Sequence, residues 1–309
     1  MYLSVIVPVY NEEGAAAKLH AEILAACKKL NQPFEIIFVN DGSSDQTMDT
    51  LKALSPIKII DLRRNFGQTA AMDAGIKIAT GKYIATLDGD GQNDPADIMS
   101  LIKVLEENNF DVVSGWRKNR QDKTGKRWAS RLAALVRRYL INDGIHDSGC
   151  SLKVYKRECF KKITLYGEMH RFIPAILKIK GYSVGEAVVN HRPRTTGKTK
   201  YNWKRGVKGI LDMFSVWFWQ KYAARPLHLF GGAGVLFLAV SFISAAWAVY
   251  GKIFQGNDLS NSSFTFLAMF AFFTGITFFA FGLISDMLCK LYFGTTSDDH
   301  YDIKETIEK

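Results

Sequence analysis

Leu87-Asp88-Gly89-Asp90-Gly91-Gln92-Asn93-Asp94-Pro95 is the stretch on which the reading of the fold turns. It follows Lys82-Tyr83-Ile84-Ala85-Thr86, which reads as a buried strand. A strand ending in Asp88-Gly89-Asp90 presents two carboxylates at its C-terminal edge, and Gly89 between them lets the backbone approach a ligand. Mg2+ or Mn2+ takes oxygen ligands, one or two of them carboxylates, and fills its shell with phosphate oxygens. In open α/β sheets ligands gather at that same edge. An ordinary Asp/Gly turn fits these residues equally well, so the rest of the chain decides.

Working outward, buried-strand runs occur at Leu3–Val9, Phe34–Asn40, Ile57–Leu62, Tyr83–Leu87 and Asp111–Gly115. Between them Ala15–Leu30 sets Leu19, Ile23, Cys27 and Leu30 on one helical face, and Asp45–Leu54 and Gln68–Ala79 read as shorter helices. This alternation predicts the α/β class, with a mainly parallel, Rossmann-like sheet covered by helices on both faces. Beyond residue 125 the pattern changes to a basic helix, Lys126–Leu140, a strand at Ser151–Tyr155, a helix at His170–Lys180 and a strand at Ser183–His191.

The chain has 309 residues, enough for a domain of about 200 residues and a further part. Neither Pro226–Gly251 nor Leu259–Ser285 contains an Asp, Glu, Lys or Arg. Each exceeds the roughly 20 apolar residues that cross a bilayer. A pair of long buried core helices is the competing explanation. The formal net charge of +10 is concentrated just before the first span, in Lys198, Lys200, Lys204, Arg205, Lys208, Lys221 and Arg225, opposed only by Asp212. That bias predicts a cytoplasmic N-terminal domain and C-terminal tail, and attraction to anionic membrane lipids. Trp203–Tyr222 mixes aromatic and basic residues and reads as an amphipathic helix in the membrane interface, with a core-facing helix as the alternative. Nucleic acid is not the expected partner, because the basic residues sit beside a membrane anchor and no nucleic-acid module is recognisable. Met1 leads directly into a strand, so no signal peptide is expected, and four cysteines without a C-x-x-C pair fit a reducing compartment.

Three further turns follow predicted strands: Pro8-Val9-Tyr10-Asn11-Glu12-Glu13, Asn40-Asp41-Gly42-Ser43-Ser44-Asp45 and Arg63-Arg64-Asn65-Phe66-Gly67-Gln68. Asp41 can accept from a base N–H or a ribose hydroxyl, and Tyr10 offers a flat face to a base. D-G-S-S-D is also a good helix cap through Ser44 or Asp45. No G-x-G-x-x-G follows the first strand, so a nucleotide whose diphosphate is held by metal fits better than a dinucleotide.

V-P-V-Y-N-E-E, V-N-D-G-S-S-D, R-N-F-G-Q-T-A-A and L-D-G-D-G-Q-N-D-P together resemble the family 2 glycosyltransferases, which have the GT-A fold. More narrowly, S-G-W-R (114–117), H-D-S-G-C-S-L-K-V-Y (146–155), Y-G-E-M-H-R-F-I-P (166–174) and H-R-P-R-T-T-G-K-T-K-Y (191–201), followed by two spans, resemble the polyprenyl-phosphate glycosyltransferases. That group includes bactoprenol glucosyltransferases and dolichol-phosphate mannose synthases. The resemblance covers residues 3 to 293 and implies four parts: a GT-A domain at 1–202, a juxtamembrane helix at 203–225, a two-span domain at 226–293 and a tail at 294–309.

The resemblance also implies roles for residues. Pro8, Tyr10, Glu12, Val39 and Asp41, with Gln68 nearby, would line the nucleoside pocket. Asp88 would touch ribose and diphosphate, and Asp90 would hold Mg2+ or Mn2+, with Gln92 as a further ligand. Arg117, Arg127, Ser130 and Arg131 would receive the lipid phosphate, although Lys126 is an alternative to Arg127. Arg194 and Lys200 match a basic motif for donor or acceptor phosphate, with Thr199 where serine is commoner. Asp147 stands where the family often places its base; here it either organises the acceptor phosphate or takes its proton. His170 and Arg171 border the site in one reading and are structural in another.

The implied activity is inverting transfer of a sugar, glucose from UDP-glucose in the first instance, onto polyprenyl phosphate such as undecaprenyl phosphate. The runner-up is a mannose synthase using GDP-mannose. From another class, a non-catalytic membrane scaffold or flippase partner would not need Asp88, Asp90, Arg117 and Asp147, all of which are present. A short strand within Thr295–Lys309 would give a homo-oligomer through tail pairing.

Overall fold

Seven strands, β1 (Leu3–Val9), β2 (Phe34–Asn40), β3 (Lys58–Asp61), β4 (Tyr83–Thr86), β5 (Val112–Trp116), β6 (Lys153–Lys156) and β7 (Val184–Val188), form one sheet in the order β3-β2-β1-β4-β6-β5-β7. The coordinates are a computed structural model that describes residues 1–118, 144–192 and 214–295, apart from 162, 164, 166, 216, 219, 220, 223, 224 and 257. The chain forms two compact units that divide in sequence near residue 216.

Four of the six strand pairings are parallel, and β6 runs antiparallel to both of its neighbours, β4 and β5. The sheet is therefore mixed, and the reversal of β6 has a consequence for the site. Thr86 at the end of β4 and Ser114 near the end of β5 both pair with Lys153, the first residue of β6. The segment entering β6 thus arrives at the edge where β1, β2 and β4 end.

Side chains alternate across the sheet, as strand geometry requires. Val5, Val7, Ile36 and Phe38 pack on one face with Leu19, Ile23 and Cys27 of α1 (Glu13–Lys29) and Leu51 of α2 (Thr47–Lys52). The same face takes Ile98, Leu101, Ile102 and Leu105 of α4 (Asp97–Glu107), a helix the sequence reading passed over despite its 3-and-4 spacing. On the other face Ile6, Ile37 and Val39 meet Ala71, Met72 and Ile76 of α3 (Gln68–Ile78) and Ile173 and Leu177 of α5 (Ile173–Ile179). The helix expected at His170–Lys180 is divided: a 3-10 turn covers Met169–Arg171, Phe172 is non-helical, and α5 begins after it. Pro174 explains the break, since it lacks the N–H that would continue the ladder back to His170.

The opposite, N-terminal end of the sheet is tied by one carboxylate. Glu35 Oε1 accepts from Ser4 Oγ at 2.5 Å, Thr80 N at 2.7 Å and Thr80 Oγ1 at 2.8 Å, and Oε2 accepts from Lys58 Nζ at 2.5 Å. Burial works against the charge, but Lys58, Ser4 and Thr80 outweigh it and lower the Glu35 pKa to about 2.

In the second unit, α6 (Pro226–Gln255) and α7 (Ser263–Thr295) are both long and apolar enough to cross a bilayer. Only 22% of each apolar window is buried, which argues against the core-helix alternative. The two helices touch where Gly234 meets Gly275, where Phe237 stacks on Phe278 at 5.7 Å, and where Ser241 Oγ donates to Ala268 O at 2.7 Å. Small residues and such hydrogen bonds are what close packing in lipid uses. Large side chains such as Phe242, Ile243, Phe270 and Phe273 face outward. The expected amphipathic helix lies outside the described residues over 203–213, as does the tail from 296.

Because folded Glu35 titrates below its ordinary range, the unfolded chain binds the extra proton between about pH 4.5 and 2. Its contribution to stability is complete above that window and is lost as the pH falls through it. Denaturant unfolding of the detergent-solubilised protein across that window should show a steeper loss of stability for the parent than for Glu35→Gln.

Candidate active site

The four turns after β1, β2, β3 and β4 share one edge and are laced together in sequence order. Turn one binds turn two: Asn11 N donates to Ser43 Oγ at 3.0 Å, Glu12 N to Thr47 Oγ1 at 2.9 Å, and Ser44 N to Asn11 Oδ1 at 2.8 Å. Asn11 sits at φ 56, a conformation asparagine tolerates better than most residues. Asp45, rather than Ser44, serves the start of α2, accepting from Thr47 N at 3.0 Å. Turn two binds turn three through Asp41, whose two oxygens accept from Phe66 N at 2.7 Å and Gly67 N at 2.9 Å. Turn three binds the acidic turn, where Gln68 Nε2 donates to Asp88 Oδ1 at 2.6 Å.

The expected nucleoside-pocket residues occupy this edge in different ways. Tyr10 is exposed (37%), and Glu12 is half-buried. Asp41 is 3% exposed and already holds the third turn in place. Pro8 is buried, and Val39 is fully buried (0%) among Ile6, Ile37 and Met72, so its side chain belongs to the core. Gly89 is required for a reason nearer home than a ligand. A Cβ there would lie 2.6 Å from Val9 Cγ1 and 3.0 Å from Pro8 O, so the acidic turn packs directly on the end of β1. Asp88, Asp90 and Gln92 are half-buried at that turn, with Gln92 N donating to Asp90 Oδ1 at 3.2 Å.

A second cluster forms where β5 ends and β6 begins. Arg117 Nε and Nη2 donate to Asp147 Oδ2 at 2.7 Å and Oδ1 at 2.9 Å, a bidentate pair. The two side chains are 11% and 16% exposed, so water screens them little. Burial disfavours the Asp147 carboxylate, but the hydrogen bonds and charge of Arg117, aided by Lys153, hold its pKa below the usual range. Asp147 in turn raises Arg117 against the cost of its burial, with a smaller contribution from Asp88. Gly149 leaves room for this pair: a Cβ would stand 3.2 Å from Arg117 Nη2.

Ser151 links the two clusters. Its carbonyl accepts from Thr86 Oγ1 at 2.9 Å, and its hydroxyl accepts from Asn93 Nδ2 at 2.7 Å. Arg192 N donates to Gln92 O at 3.0 Å, while its guanidinium pairs with Glu22 at 2.6 Å and Asp94 at 2.8 Å. His170 Nδ1 contacts Thr69 Oγ1 at 2.7 Å, beside Gln68; burial first, then Arg171 and Lys153, lowers its pKa to about 3, so the imidazole is neutral.

Arg127, Ser130, Arg131, Arg194 and Lys200 lie outside the described residues. Several organising residues went unread in the sequence: Asn11, Ser43, Gly149, Glu186 and Lys153. For the last two a signal existed, since each is a charge set inside an otherwise apolar strand run, V-G-E-A-V and S-L-K-V-Y.

Residues 4–164 match the family model for glycosyl transferase family 2, and residues 225–291 match the GtrB C-terminal hairpin. The chain is 35% identical to dodecaprenyl-phosphate galacturonate synthase of Rhizobium johnstonii, covering 99% of this chain and 93% of that protein. It is 31% identical to undecaprenyl-phosphate 4-deoxy-4-formamido-L-arabinose transferase of Serratia proteamaculans, covering 99% and 94%. Among solved structures, mannosyl-3-phosphoglycerate synthase of Rubrobacter xylanophilus is similar with a TM-score of 0.59 at 16% identity, over 72% of this chain and 75% of that one. Glucosyl-3-phosphoglycerate synthase of Mycobacterium tuberculosis, solved with Mn2+ and UDP-glucose, is similar with a TM-score of 0.56 at 15% identity, over 70% and 78%. At such identities the two structures speak to the fold alone.

Asp41→Ala would leave the Phe66 and Gly67 N–H groups without their acceptor. Phe66 is 51% exposed and Gly67 half-buried, so water takes up part of the loss, which stays near the net worth of a hydrogen bond, about 1 kcal/mol. A lowered unfolding midpoint and faster amide exchange over residues 63–67 are expected, with Asp41→Asn intermediate.

Proposed function

The chain belongs to glycosyl transferase family 2 as a polyprenyl-phosphate glycosyltransferase, and we propose that it transfers a hexose, glucose in the first instance, from a uridine diphosphate sugar to polyprenyl phosphate with inversion. The observation that carries this reading is the meeting of two unlike charge clusters on one sheet edge. Acidic Asp88 and Asp90 follow β4, and the Arg117–Asp147 pair lies across the start of β6.

Asp88, Asp90 and Gln92 are oxygen donors of the kind Mg2+ or Mn2+ takes. Among the described residues no group of three His, Cys, Asp or Glu forms a complete metal site, so phosphate oxygens of the donor would have to complete the shell of such an ion. Bound there, a divalent ion supplies positive charge to the departing diphosphate. Gln68 donates to one oxygen of Asp88, which would leave the other for the ion.

The acceptor phosphate is an anionic nucleophile at neutral pH. One of its oxygens forms a bond to the anomeric carbon as the bond to the diphosphate oxygen breaks, and the electron pair leaves with the nucleoside diphosphate. No strong base is needed. The bidentate contact and lowered pKa favour Asp147 as the group that orients Arg117, over Asp147 as a proton acceptor. The Nη1 edge of the guanidinium would then meet the phosphate. Arg127, Ser130, Arg131, Arg194 and Lys200 would add positive charge around the lipid or donor phosphates. The two apolar helices would hold the enzyme in the inner membrane, with the basic residues before α6 placing the catalytic unit in the cytoplasm.

The 35% identity to the galacturonate synthase favours a second reading in which the donated sugar is a uronic acid. A donor screen with undecaprenyl phosphate, Mn2+ and UDP-glucose, UDP-galacturonate or GDP-mannose, scored by product mass, tests both. A hexosyl-phosphate lipid from UDP-glucose is expected. Product from UDP-galacturonate alone would establish the second reading, and product from GDP-mannose alone the mannose synthase. No lipid product with any donor would overturn the proposal. Asp90→Ala and EDTA should each lower the rate about a hundredfold or more, with Mn2+ restoring the chelated enzyme but not the variant.

A further inference from the structure

The turn that carries Asp147 is gripped from two sides by charges that have no other evident task. From β7, Glu186 Oε1 accepts the N–H of His146 at 2.7 Å and of Asp147 at 3.2 Å. Glu186 Oε2 takes the His146 ring at 2.7 Å, which places the proton on Nδ1. The Glu186 side chain is 11% exposed. From β6, Lys153 Nζ donates to the carbonyls of Cys150 and of Ser148, the latter at 3.4 Å.

Lys153 is 2% exposed and makes no ion pair among the described residues. Burial pulls its pKa down, and Cys150, Asp147 and Asp88 only partly offset this. A buried ammonium that meets only main-chain oxygens is costly, and such a charge persists where its position matters. The anion holds the N–H side of the turn and the cation holds its C=O side, so both charges align with the peptide dipoles between them. His146 also stacks on Trp116 at 4.5 Å, the residue before Arg117, so the clamp reaches both partners of the Arg117–Asp147 pair.

We propose that Glu186 and Lys153 are positioning residues that clamp residues 146–150 so that Asp147 presents Arg117 to the acceptor phosphate. Neither touches substrate. The inference rests on the reading of Arg117 as the lipid-phosphate group. For Glu186, which bonds the turn at His146 and Asp147, it predicts an effect on acceptor use alone; Lys153 pairs with Thr86 beside the acidic turn, so for Lys153 it predicts a larger loss for acceptor than for donor.

The test compares Glu186→Ala, Glu186→Gln and Lys153→Met with the parent in the full-length, detergent-solubilised enzyme. Steady-state kinetics are measured with polyprenyl phosphate and with whichever sugar nucleotide the parent uses. Hydrogen–deuterium exchange is measured on the peptide spanning 145–150. Glu186→Ala and Lys153→Met should each lower kcat/KM for the lipid by about tenfold to a hundredfold, the scale of a misplacement near 1 Å. The donor KM should stay unchanged in Glu186→Ala and change less than the acceptor KM in Lys153→Met. Glu186→Gln, whose amide oxygen still accepts both N–H bonds, should recover to within about threefold of the parent. Exchange at His146 and Asp147 should quicken in Glu186→Ala only.

Parental kinetics and parental exchange in Glu186→Ala would overturn the clamp. So would equal losses for donor and acceptor with a fallen unfolding midpoint, which would mark a merely structural role. If the parent transfers nothing to polyprenyl phosphate while the exchange difference persists, the acceptor reading fails and the clamp stands.

Discussion

A guanidinium and a carboxylate in bidentate contact, both largely withdrawn from water, set the strongest constraint on this protein. Removing either partner of such a pair strands the other charge in a poorly solvated place, at a cost of roughly 3–5 kcal/mol. The surrounding chain is therefore arranged to keep Arg117 and Asp147 together. Gly149 makes room beside the pair, β5 delivers Arg117 at its end, and the segment entering β6 delivers Asp147. The reversed direction of β6 is what brings the two to one place, because a parallel β6 would have begun at the far edge of the sheet.

The edge proposed to hold the nucleotide is built on a different principle. There the four turns hold one another through backbone N–H groups and short polar side chains, so each turn is the scaffold for the next. Asp41, Asn11 and Ser43 spend their hydrogen-bonding capacity on this lacing. The result is an acidic rim and an Arg117–Asp147 ion pair on the same sheet edge, linked through Ser151. Rigid placement of opposite charges before substrate arrives is the main way such a site can favour phosphate chemistry without reorganisation.

Much of the half that carries the turns after β1 to β4 was legible in the sequence because its signals are local. β1 and β2 fall at the predicted bounds, since continuous apolar runs closed by Asn or Asp turns admit few other readings. The two apolar helices were equally plain; α6 and α7 run beyond the predicted spans at their C-terminal ends, where apolar composition continues, but α7 begins at Ser263 rather than Leu259, after a 3-10 turn over Leu259–Asn261. What the sequence withheld is non-local. That Val39 faces the core, that Gly89 abuts Val9, and that Glu186 reaches across to His146 all depend on sheet order and register. The direction of β6 was likewise invisible in the strand signal of S-L-K-V-Y, which reads the same for parallel and antiparallel neighbours.

A double-mutant cycle on Arg117 and Asp147 addresses the central claim, that these two residues act as one unit on the acceptor phosphate. The measured quantity is kcat/KM for polyprenyl phosphate in Arg117→Met, Asp147→Asn and the double variant. Residues acting as a unit give strongly non-additive losses, so the double variant should be no worse than the weaker of the two single variants. Losses that multiply independently, or an Asp147→Asn enzyme that keeps the parental rate, would contradict the account.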